Sequence, residues 1–171
     1  EDLLNGVRNG VFDIAVTTRT ASVAADEFRV QTLFEDRFVV CCAPSNPLSR
    51  QAVVEPGELS AMAWVLAPRG GVLRSEFDTC FRQVGTLPPS AMVETASGAL
   101  SKALVMDRGF LSFLPRELIS FEMRKGDIAE LQVPWLQWRR SVLMVMRRGR
   151  VPPGSQLVVA QLMLETGQAM S

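Results

Sequence analysis

The chain reads as an α/β protein whose strands run mostly parallel, and three observations say so. Short apolar runs that suit strands alternate with amphipathic stretches of ten or so residues that suit helices, the order that builds β–α–β units. The 171 residues are 47% hydrophobic, enough for a real core and too much for a disordered chain. The run "RFVVCCA" (residues 37–43) is apolar on both faces, as a central strand requires.

The elements follow in order. Leu3, Leu4 and Val7 share one helical face, and Gly10 stops that helix. Residues 11–16 form a strand that delivers Thr17, Thr18 and Arg19 at its end, and the small, polar residues 21–26 read as a loop. After the strand at 37–43, "PSNPLSR" is a turn-rich exit and Pro56 opens a short helix. "WVLA" (64–67) is a strand, and a helix over 72–84 turns Leu73, Phe77, Cys80, Phe81 and Val84 inward before Gly85 ends it. "AMVET" (91–95) is a strand, and a helix over 97–107 turns Leu100, Ala103 and Leu104 inward. "GFLSFL" is a strand, and Pro115 opens a helix through about residue 121. Strands at 128–133 and 141–146 follow, and Pro152, Pro153 and Ser155 announce a last helix with Leu157, Val158, Gln161, Leu162 and Glu165 at helical spacing.

The stretch between "WVLA" and "SVLMVM" is long enough to hold a small sheet of its own. Two lobes are therefore expected: residues 1–63 with 139–171 as lobe I, and residues 64–138 as lobe II. The chain begins inside what reads as a helix, so lobe I is expected to be truncated at its N-terminus.

Composition removes several functions. There is no histidine and no tyrosine, which excludes Ser-His-Asp and Cys-His catalysis and takes away the commonest nitrogen ligand of zinc. No metal site, cofactor or catalytic residue is expected, and the chain is not read as an enzyme. Cys41, Cys42 and Cys80 form no C-x-x-C pair and suit buried thiols in a reducing cytoplasm. No run is long enough to span a bilayer. Eighteen basic residues balance eighteen acidic ones, a poor match for bare phosphate backbone, so any DNA contact needs another piece of protein. The arginines at 139, 140, 147, 148 and 150 read as flanking the two ends of one strand.

In open α/β sheets a ligand sits outside the carboxyl ends of the strands. That rule selects Thr17, Thr18 and Arg19; Ala67, Pro68, Arg69 and Gly70; Thr95, Ala96 and Ser97; and Leu114 with Pro115. Three of these four junctions open helices, whose free N–H groups favour anions and polar oxygens. Each choice has a plainer alternative. Thr95 or Ser97 serves equally well as a helix N-cap, and Arg19 and Arg69 as solvated surface residues. Glu94 stands beside the crevice with no second carboxylate at a telling spacing.

"LLNGVRNGVFDIAVTT", "LFEDRFVVCCAPSNPL", "AWVLAPRGGVLRSEFDTCF", "VETASGALSKALVMDRGFLSFLP" and "SVLMVMRRGRVPPGSQLVVAQL", in this order, resemble the effector-binding domain of LysR-type transcriptional regulators over nearly the whole chain. The subgroup named for the regulator of a galactose-binding protein looks most similar. The resemblance implies the two-lobed, type II periplasmic-binding-protein fold with a small effector in its cleft, a sugar, sugar acid or small carboxylate. It implies a helix-turn-helix head preceding this chain, through which alone DNA is bound, and further lobe I elements before residue 1. It also implies effector domains paired as dimers within a tetramer, in the cytoplasm and with no membrane. The twelve residues above match the family's effector loops. The family's common His-Pro-Leu reads Asn46, Pro47 and Leu48 here. Two other classes share the scaffold, a solute-binding protein of a transporter and an enzyme such as a prephenate dehydratase-like protein. The paired cysteines weigh against the first, the missing His and Tyr against the second.

Overall fold

The computed structural model describes residues 2–18, 26–149 and 154–169. Arg19, most of the expected loop at 21–26, Arg150, Pro152 and Pro153 lie outside the described residues. By packing, the chain divides into two compact units, Glu1–Asp36 with Arg139–Ser171, and Arg37–Trp138.

The first unit holds α1 (Asp2–Arg8), β1 (Ile14–Thr18), the first part of β2 (Phe28–Cys42), most of β7 (Trp138–Arg147) and α6 (Gly154–Ala169). β1 pairs antiparallel with β7, and β7 neighbours β2. The period-two alternation of β7 sorts its side chains between two cores. Leu143 and Val145 pack with Leu4 and Val7 of α1, while Met144 and Met146 pack with Leu33 and with Ala160 of α6.

The second unit holds the rest of β2, then α2 (Pro56–Ser60), β3 (Trp64–Leu66), α3 (Val72–Gln83), β4 (Ala91–Glu94), α4 (Gly98–Arg108), β5 (Leu111–Pro115), α5 (Ser120–Lys125) and β6 (Ala129–Glu130). β3 pairs in parallel with both β4 and β5, the core expected from the β–α–β order. β2 adds antiparallel pairs with β5 and β6, so the sheet is mixed. One face carries Phe38, Val40, Trp64, Leu66 and Phe113 against Phe77 and Phe81 of α3. The other carries Val39, Cys41, Val65 and Leu114 against Val105 of α4 and Ile119.

Several elements differ from the sequence reading, each for a physical reason. β2 begins at Phe28, nine residues before the expected start, because polar and charged residues interrupt the apolar ones in its first half and hide it. The packing boundary falls after Asp36 where the sequence suggested residue 63. Leu48, Val54 and Leu59 share one core with Phe77, Phe81 and Leu111, so residues 37–63 pack with the second unit. Pro115 closes β5, and a 3-10 turn over Glu117–Ile119 precedes α5. On α4, Leu100 is exposed, Ser101 and Val105 are the buried positions, and Leu104 packs half-buried against the same core. On α3 the buried set includes Arg74, while Val84 is exposed. In the Asn46-Pro47-Leu48 variant, Asn46 caps a 3-10 turn: its Oδ1 accepts from the Leu48 N–H at 3.0 Å.

All three thiols are free and buried. Burial pushes the Cys41 and Cys80 thiols up, and the Cys42 thiol up to about 11 from an ordinary 9.0. A thiol that ionises later in the folded state than in the unfolded one favours unfolding once pH exceeds the unfolded value. Stability therefore falls as pH rises from about 9 towards 11. The companion expectation is kinetic. At pH 8 an aromatic disulfide reagent should titrate three thiols at once in denaturant and none promptly in the native protein. Prompt native reaction of any thiol would contradict the burial.

Candidate functional site

In the second unit, the parallel strands β3, β4 and β5 present their carboxyl ends on one side. Leu66 lies opposite Glu94, and the Thr95 N–H donates to the Leu66 carbonyl at 3.0 Å. Ala67–Gly70 and Thr95–Ser97 are thereby brought together. Pro115 ends the neighbouring strand β5. The turn after it meets α4: the Leu118 side chain lies over Gly98, where an added Cβ would stand 2.7 Å from Leu118 Cδ2 and push that exposed side chain aside. Lys102 ties the same two segments. Its Nζ donates to the Leu118 carbonyl at 3.4 Å and to Glu122 Oε1 at 2.6 Å, which holds the Glu122 carboxyl below its usual range.

Thr95 and Ser97 divide the turn between them. Thr95 Oγ1 accepts from the Ser97 N–H at 3.0 Å, and Ser97 Oγ accepts from the Leu100 N–H at 3.3 Å. Ser97 is thus the N-cap of α4. Each hydroxyl keeps its own hydrogen, so both remain donors. Pro68, Arg69, Gly70, Ala96 and Ser97 are exposed, and Ala67, Thr95 and Pro115 half-buried. Leu114 is different: its side chain is in the core beneath α4.

The charged residues at these strand ends form one network. Arg74 is buried, with its side chain 3% exposed. Its Nε donates to Asp78 Oδ1 at 2.9 Å, and its Nη1 reaches Glu94 Oε1 at 3.4 Å. Arg69 Nε reaches the same oxygen at 3.5 Å from a largely exposed position. The sequence reading noticed Glu94 and missed Arg74, because an arginine among helical polar residues reads as solvated. The available signal was the Arg74/Asp78 spacing of four, which puts both on one helical face.

The first unit contributes Thr17 and Thr18, the last residues of β1, paired with Leu143 and Val142 of β7. Both are half-buried, and Thr17 Oγ1 lies 3.4 Å from the Thr18 carbonyl.

Elsewhere in the second unit, a cavity of about 280 Å³ is lined by Arg37, Val53, Glu130, Gln132 and Gln137 among others, and contains none of the predicted residues. Its two charged groups are paired with each other at 3.0 Å, so it offers a ligand no free charge, and the strand ends remain the better candidate. Among the described residues no cluster of three His, Cys, Asp or Glu side chains could hold a metal, and no helix is long and apolar enough to cross a membrane. Arg139 and Arg147 stand near opposite ends of β7, and Arg140 pairs with Asp36 at 2.9 Å.

A two-unit α/β fold with polar groups at parallel strand ends places the chain in the type II periplasmic-binding-protein fold class. Solved structures agree. The regulatory domain of CcmR from Synechocystis PCC6803, in complex with 2-PG, superposes with a TM-score of 0.77 at 14% identity, over 99% of this chain and 80% of that one. The effector binding domain of QuiR, in complex with shikimate, gives 0.70 at 16% identity, over 98% and 78%. The chain belongs to the LysR substrate binding domain family, whose profile matches residues 1–166. Among curated relatives, the HTH-type transcriptional regulator GbpR of Azospirillum brasilense is 31% identical over 117 residues, 68% of this chain and 34% of that protein. This chain thus spans about a third of that regulator's length.

Proposed function

We propose that this chain is the effector-sensing part of a cytoplasmic LysR-type transcriptional regulator. Its ligand is a small polar or anionic molecule: a sugar, sugar acid or small carboxylate. Thr17, Thr18, Arg19, Ala67–Gly70, Thr95–Ser97 and the β5 end at Leu114 and Pro115 make the contacts, Leu114 through its backbone. DNA is bound by a helix-turn-helix head outside this chain, and effector domains pair as dimers within a tetramer.

The carrying observation is the gathering of exposed polar groups where β3 and β4 end and α4 begins, in a family with ligand-bound relatives of this fold. The mechanism is linkage. A ligand that binds one conformation better than another shifts the population towards it, with a coupling of about 1–3 kcal/mol between effector and DNA sites.

The test separates capping from binding. Ser97→Ala removes the α4 cap and is expected to cost about 1 kcal/mol of stability without ligand. Thr95→Val combined with Ser97→Ala is expected to weaken a ligand found by thermal-shift screening of the full-length protein by about tenfold or more, since two hydrogen bonds are lost. An unchanged ligand response in the double variant would leave these residues as a cap alone and refute the site.

A further inference from the structure

Glu94 is the one charged group at the strand ends whose role the effector reading leaves open. Its anchoring is unusual. The buried Arg74, itself fixed by Asp78, holds Oε1, and the exposed Arg69 reaches the same oxygen at the longer distance of 3.5 Å. Among the described residues Oε2 accepts nothing, and the Glu94 side chain is 39% exposed. A carboxylate is therefore held in place with one oxygen available, next in sequence to Thr95.

We infer that Glu94 is a fixed hydrogen-bond acceptor for ligand hydroxyls, and that it restricts the effector to polyhydroxylated molecules carrying at most one negative charge. This rests on the effector-binding reading above. Around Glu94 the groups are complementary in kind. Thr95 and Ser97 each accept one backbone N–H and keep an O–H to donate. Glu94 can only accept. Arg69 sits in the turn before Gly70, whose φ is +86°, and its single long contact leaves it able to swing to a ligand.

A ligand hydroxyl both donates and accepts, so a polyol satisfies all of these groups. A ligand carboxylate satisfies only the donors and Arg69, and meets Glu94 as a like charge. The four charges Arg69, Arg74, Asp78 and Glu94 sum to zero, so one ligand carboxylate can be matched by Arg69 and a second cannot. The plainer role for Glu94, neutralising a buried arginine, predicts an effect on stability and none on ligand ranking.

The experiment is calorimetric titration of the full-length protein with the neutral sugar, the uronate and the aldarate of the galacto and gluco series. At least one sugar or uronate is expected to bind, with its aldarate at least tenfold weaker. Glu94→Gln is expected to shrink that gap several-fold while weakening the neutral sugar. Arg69→Gln, at a largely exposed position, is expected to penalise the uronate selectively. The inference is overturned by an aldarate that binds as tightly as its sugar. It is equally overturned by an unchanged ranking in both variants, or by no saturable heat from any of the six compounds. The effector reading fails separately: it falls only if no compound of any chemistry gives a response that Thr95→Val with Ser97→Ala removes.

Discussion

Trp64→Ala lowers the stability of the second unit by about 3–5 kcal/mol, enough to leave it marginal. Trp64 has no exposed surface and is among the largest fully buried side chains. Its ring meets Phe77 edge-on with centroids 5.1 Å apart and Phe81 at 6.5 Å, and Phe81 in turn meets Trp135 at 4.9 Å. Its indole Nε1–H donates to the Leu59 carbonyl at 2.9 Å. Alanine therefore opens a cavity under α3 and gives up the indole's hydrogen bond; the Leu59 carbonyl keeps the Met62 N–H at 3.2 Å, so the cavity carries most of the cost. Trp64→Phe keeps most of the ring and loses the hydrogen bond, so it should cost about 1–3 kcal/mol. Hydrogen exchange read by mass spectrometry distinguishes the units: protection should fall most across residues 37–138. A uniform loss across both units, or none, would contradict a separate core for this unit.

What the sequence disclosed and what it hid have the same cause. Periodicity reports burial, and it is loud where a face is uniformly apolar. Phe77, Cys80 and Phe81 announced α3, and Ser97 announced the start of α4 by its capping chemistry. Periodicity is silent where charge enters a strand. Glu35, Asp36 and Arg37 lie mid-strand in β2, and Asp36 is tolerated there because Arg140 pairs with it across to β7. Only the fold supplies that partner, 104 residues away in the chain. Arg74 is the same case at the candidate site, a buried cation made acceptable by Asp78 and Glu94. The strand-end rule located the turns, because topology alone places them. It could not say which charges there are already paired, and pairing decides what a ligand meets.

Close approach of backbones is equally invisible to periodicity, and Gly167 is where it has the largest consequence. This glycine faces β2 from α6, and a Cβ built on it would stand 2.4 Å from the Leu33 carbonyl oxygen and 2.9 Å from the carbon. Both are backbone atoms, so no side chain can turn aside. Gly167→Ala must push α6 outward, loosening Met163, Leu164 and Ala160 from Leu33, Met144 and Met146. Overpacking of this kind costs about 1–3 kcal/mol. Alanine's better helix propensity returns about 1 kcal/mol at most, so the net sign is destabilising. Gly57, in α2, is the matched control. Nothing lies within 4 Å of a Cβ there, so Gly57→Ala should be neutral or stabilise by about 0.4–1 kcal/mol. Of two identical substitutions in two helices, Gly167→Ala is thus expected to lower the melting temperature and Gly57→Ala to leave it unchanged or raise it. A stabilising Gly167→Ala would mean that α6 does not pack on β2 at this distance.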